Sequence, residues 1–154
     1  MVYSKFTEVC MRRFAVRDVT FMKAMQGAFE EMSARDVLVS GITAGRVQEI
    51  VQEELNASID EIIKVLKDIN AVCGRKMMPE VVKLRSHDIL QQRLREIEAF
   101  KNFRLKKMLG AVASQRVLDT VDIQERIDRV TSKLDFQVDQ YFHDEERAKR
   151  KCLK

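Results

Sequence analysis

The chain has 154 residues with one Pro, five Gly and no Trp, and 34% of its side chains are charged for a formal net charge of +4. That length suits one domain burying roughly two thirds of its unfolded surface, and the composition suits helices and disfavours sheets. Cys10, Cys73 and Cys152 are odd in number and widely spaced, which fits a reducing compartment and excludes a disulfide framework or a zinc module.

Residues 1–17 carry Lys5, Arg12, Arg13 and Arg17 against Glu8, and put Tyr3, Phe6, Cys10 and Phe14 on one helical face. The pattern loosely resembles a mitochondrial presequence, but a first helix docking its aromatic stripe on a bundle is the commoner use of such a face. Ser4 to Phe14 and Asp18 to Ser33 read as two shorter helices. The second spaces Met22, Met25, Phe29 and Met32 by 3, 4 and 3, an adaptable face that serves a core and equally a partner groove. Residues 34–44 form the connection, with Gly41 inside it.

The clearest periodicity follows, through Leu55, Ile59, Ile62, Leu66, Ile69 and Cys73, extended upstream by Val47 and Val51. Alternating steps of 4 and 3 are an a/d seam. Thr43 is a plausible cap for a helix from about Ala44 to Val72, and Gly74 stops it. Pro79 then occupies a first helical turn with Glu80 behind it. The helix it opens has two apolar arcs: Leu90, Leu94, Ile97, Leu105 and Met108 on one side, and Val82, Ile89 and Phe100 a quarter turn away. Gly110 interrupts the pattern, and 111–118 lacks a strong seam. Asp119 or Thr120 can cap a third long helix with the seam Ile123, Ile127, Val130, Leu134, then polar Gln137, then Tyr141.

Charge alternates along these three helices. From Glu49 to Asp68 six acids face two bases, from Lys83 to Lys107 eight bases face three acids, and from Asp119 to Glu146 nine acids face three bases. Neighbouring helices of opposite charge attract. The expected fold is therefore all-α: an antiparallel bundle of three long helices with two shorter N-terminal helices, the basic helix lying between the acidic ones. Residues 1–146 form the helical domain, with 1–40 as the N-terminal pair and 44–146 as the bundle, and 147–154 a basic tail. The alternative is an elongated coiled coil through 79–146.

Chemistry is thinly represented. His87 and His143 belong to no catalytic signature, and only a convergence of Cys73 with His87 and a carboxylate would suggest an enzyme. Asp139 and His143, one turn apart, offer two metal ligands where zinc takes three or four. Glu53 with Glu54, and Glu145 with Glu146, diverge by about 100° and cannot share a substrate proton. GITAG at 41–45 lacks the ending of a phosphate loop. No catalytic residue, cofactor or metal is expected.

The sequence reads as a non-enzymatic helical adaptor or structural subunit of a larger intracellular assembly, most simply cytoplasmic and not membrane-spanning. Its partner-binding candidates are Met22, Met25, Phe29 and Met32, and a homo-oligomer is compatible with its seams. The alternative is a basic helical module that binds RNA, an anionic membrane or an acidic cytoskeletal surface. Its polyanion-binding candidates are Arg147, Lys149, Arg150, Lys151 and Lys154.

Overall fold

The heptad spacing in the middle of the chain organises the molecule. In the computed structural model, which describes residues 2–35, 41–73, 77–110 and 123–153, Leu55, Ile59, Ile62 and Leu66 are all buried, with Val47 and Val51 above them. They lie on the second of four helices: α1 (Val2–Ala34), α2 (Gly41–Val72), α3 (Pro79–Leu109) and α4 (Ile123–Cys152). At 1.5 Å per residue each is about 45–50 Å long. No strand occurs among the described residues.

The fold is all-helical as expected, but the N-terminal part is one helix of 33 residues instead of two shorter ones. Ala15-Val16-Arg17 contains no breaker, and the apolar phase survives it: Phe14 and Phe21 are two turns apart on the same buried face. Asp18 does not cap a new helix, because its carboxylate is taken by Arg93 of α3. The bundle thus has four helices of matched length among the described residues.

Pro79 opens α3 as read from the sequence, behind an extended Met78 (φ −91°, ψ 131°). In place of a side-chain cap, the Met78 N–H donates to the Tyr3 hydroxyl at 2.9 Å, which ties the start of α1 to the start of α3. Gly110 ends α3 with φ 82°, a conformation costly for a residue with a Cβ, and its N–H returns to the Lys106 carbonyl at 3.0 Å. On α4 the buried seam is Val130, Leu134 and Val138. Val138 replaces Gln137, because steps of four carry the contact face around the helix and leave the amide at the edge. Ile123's side chain and the connection 111–122 lie outside the described residues.

Pairs between helices give the directions. Arg13 meets Glu61 and Arg17 meets Glu54, so α1 and α2 are antiparallel; Lys83 meets Asp139 and His87 meets Asp135, so α3 and α4 are too. A rod through 79–146 is incompatible with that return. Parallel pairs are α1 with α3 (Asp18 to Arg93, Gln26 to Arg104) and α2 with α4 (Gln48 to Arg126, Asn56 to Lys133, Asn70 to Tyr141). Both central helices, α2 and α3, touch each other and both outer ones, while α1 and α4 do not touch. The molecule is two three-helix units sharing α2 and α3. The basic helix α3 does lie against acidic α2 and α4, but α1 is a third neighbour and α2 also touches α4 directly.

Candidate interaction sites

The most concentrated polar chemistry lies inside the α1–α2–α3 unit. Arg93 is only 1% exposed, and each nitrogen of its guanidinium has an acceptor: Nε donates to Ser58 Oγ at 3.2 Å, Nη2 to Glu54 Oε1 at 2.8 Å, and Nη1 to Asp18 Oδ1. Its plane lies 5.0 Å from the centre of the Phe14 ring, a cation–π contact. Buried Glu54 accepts in turn from Arg17, through Nε at 3.3 Å and Nη2 at 2.8 Å. That bond pushes the Arg17 guanidinium further up, against the opposing pull of burial. Ser58 completes the circuit by donating to the Glu54 carbonyl at 2.8 Å. A forked, planar cation on α3 suits this convergence of acceptors from α1 and α2. Its buried members, Arg93, Glu54 and Ser58, satisfy one another and position the helices, while Asp18 keeps an edge in solvent.

Sequence reasoning treated Arg93 as one base among eight. Its burial had a readable signal, since it stands four residues after Ile89 and four before Ile97, within the seam of α3. Glu54, beside Leu55 and one turn before the small Ser58, carried the same signal.

The predicted Met/Phe face divides. Met25, Phe29 and Met32 are buried in the chain's own core, which removes them as partner contacts, whereas Met22 is 46% exposed. Met22 rims a cleft of about 210 Å³ between α1 and α3, floored by Phe21, Ile97 and Phe100 and edged by Asp18 and Glu96. The Phe21 and Phe100 rings are tilted against each other at 5.3 Å. On the same stretch of α1, Val16 and Val19 are exposed as well.

A larger groove, about 740 Å³, runs between the parallel helices α2 and α4. Ile63, Ala71 and Tyr141 line it together with Lys67, Gln137, Gln140, Asp144 and Glu145. Phe136 stands at its edge, 68% exposed. The sequence analysis missed Phe136 because it sits off the seam; an aromatic at an outward position of an otherwise polar helix face was the available signal.

The predicted basic tail is helical through Cys152, so Arg147, Lys149, Arg150 and Lys151 are exposed residues of α4, and Lys154 lies outside the described residues. Arg150 pairs with Glu146 at 3.0 Å. The levels set by Asn70 with Tyr141 and by Lys83 with Asp139 carry α4 about two and a half turns past the end of α2 and the start of α3.

Reactive groups do not assemble. His87 is bound to Asp135, Asp139 to Lys83 at 2.6 Å, and His143 faces Asp144 at 3.9 Å. Among the described residues no group of three or more His, Cys, Asp or Glu converges on a metal position, and no helix is long and apolar enough to cross a membrane. The three thiols are unpaired. Burial, and then the charge of Glu61, push the Cys10 thiol from 9.0 up to about 12. A thiol held protonated is a poor nucleophile. No family model, curated protein or solved structure matches the chain.

Proposed function

We propose that the protein is a non-enzymatic helical adaptor or structural subunit of a larger intracellular assembly, acting through protein–protein contacts. The observation that carries this reading is the α2–α4 groove with Phe136 standing exposed at its edge. Two parallel helices with an apolar floor and charges of both signs along the rim suit an amphipathic partner helix, whose apolar side chains at i and i+4 enter while its charges set register. The non-enzymatic half is supported by where the reactive groups lie: the buried ions are mutually paired, and Cys10 is held as a neutral thiol. Unpaired cysteines fit an intracellular, reducing setting.

Affinity purification from the native source with lysine cross-linking tests the reading. Cross-links from Lys64, Lys67 and Lys133 to one recurrent partner are expected, with recovery lowered about tenfold by Phe136→Glu while melting stays within about 0.5 kcal/mol of the parent. Recovery unchanged by Phe136→Glu, with cross-links scattered over other faces, would overturn it.

The second reading, a basic module for RNA or another polyanion, is favoured by one observation, the exposed bases of the last turns of α4. Binding through them should fall steeply with added salt, whereas groove binding should hardly respond.

A further inference from the structure

The overhanging end of α4 and the α1–α3 cleft are complementary in charge and in polarity. Residues 146–153 are all exposed, because the other helices end before them. This stretch carries Arg147, Lys149, Arg150, which pairs with Glu146, and Lys151, and it includes Leu153, which is 88% exposed.

The cleft has the opposite character. Asp18 and Glu96 at its mouth both lean on Arg93, Glu96 only at 3.7 Å, and both remain more than two-fifths exposed. Three carboxylates (Glu54, Asp18, Glu96) share two guanidinium groups (Arg17, Arg93), so one negative charge is left over on the solvent side. Beside it lie Met22, Phe100 and the exposed Val19, and Phe103 stands exposed one turn beyond Phe100.

We propose that this face receives the projecting end of α4 from a second copy of the chain, with Arg150 and Lys151 against Asp18 and Glu96 and Leu153 over the apolar floor. One molecule cannot make the contact with itself: α1 and α4 do not touch, and the cleft lies about 24 Å along the bundle from the end where α4 projects. The eight residues 146–153 span about 12 Å as helix, the length of surface from Asp18 to Gln26. Since the two surfaces differ, the contact is made either reciprocally about a two-fold axis, as an arm-exchanged dimer, or head-to-tail into a ring or open chain. It uses neither Phe136 nor the α2–α4 groove, so it stands apart from the adaptor reading.

Sedimentation velocity on the full chain across a range of concentrations tests the proposal. Species larger than the monomer should grow with concentration. The double change Arg150→Glu, Lys151→Glu should weaken association about tenfold, as should Met22→Ser. Adding Glu96→Lys to the arm variant should restore it by reversing the pair, and Phe136→Glu should leave it unchanged. Circular dichroism of each variant separates lost contact from lost fold. A chain that stays monomeric at every concentration, or association indifferent to both the arm and Met22 changes, overturns the proposal. So does a monomeric chain whose arm variant loses binding to poly(U) RNA, which would make the arm a polyanion site.

Discussion

The two outer helices hold to the shared α2–α3 pair by different means. α1 buries eight residues, Phe6, Cys10, Phe14, Phe21, Met25, Ala28, Phe29 and Met32, and closes over the buried Arg93–Glu54 pair. α4 buries Val130, Leu134 and Val138, with Ile127, Tyr141 and Phe142 partly covered, and its ion pairs with α3 are open to solvent. Apolar area removed from water is worth about 25 cal/mol per Å² whatever the salt, while an exposed pair competes with water and counterions. The α1 side is therefore the structural half. The α4 side, with its screened ion pairs and fewer buried residues, is where local opening should begin.

The largest effect expected from this contrast is at Glu54. Glu54→Ala leaves Arg93 without its one buried carboxylate partner and takes the bidentate partner from Arg17, a loss of about 3–5 kcal/mol by chemical denaturation. Glu54→Leu with Arg93→Met, which removes both buried charges, should recover most of that loss, since a well-packed apolar pair replaces a buried ion pair at little cost. A Glu54→Ala protein as stable as the parent would show that water reaches the network and that the two halves do not differ in kind.

How legible this contrast was in the sequence depends on which residues are asked. The seams of α2 and α3, the Pro79 start and the end of α2 at Val72 followed from periodicity and backbone rules, since those are local properties, while Gly74 lies outside the described residues. The four-helix count did not, because a cap residue such as Asp18 looks the same whether it starts a helix or reaches across to Arg93. Arg93 and Arg95 were equally basic to a sequence reader; two positions apart on a helix they point about 200° from each other, and one is sealed while the other is in solvent. The Met/Phe spacing was equally ambiguous, because a core face and a partner face share one pattern until neighbouring helices are placed.

The next effect is on pH dependence and belongs to α1 alone. The folded Cys10 thiol, raised to about 12, keeps its proton where an unfolded thiol, near 9.0, has lost it. Between those values the native state binds more protons, so stability falls as pH rises, by on the order of 1 kcal/mol per unit. Below pH 9 the contribution is complete. Cys10→Ala should flatten the slope over pH 9–11 relative to the parent, after a constant loss for the cavity. Equal slopes would mean that water enters beside Cys10 and that the α1 interface is not sealed at that level.

The smallest effect tests the α4 side. Lys83 and Asp139 lie 2.6 Å apart, and the hydrogen bond to Asp139 raises the lysine above its ordinary value, yet both side chains are at least a third exposed. A double-mutant cycle with Lys83→Ala and Asp139→Ala should give a coupling of only about 0.2–1 kcal/mol, declining with added salt. Salt should also speed amide exchange along α4 more than along α1, because only the outer pairs are screened. A coupling near that expected for a buried pair, or exchange in α1 rising with salt as fast as in α4, would erase the distinction between the halves. The weak pair is informative because it is weak: a helix held partly by screened charges can shift or open without unfolding the α1 core, which leaves the groove free to adjust to a partner.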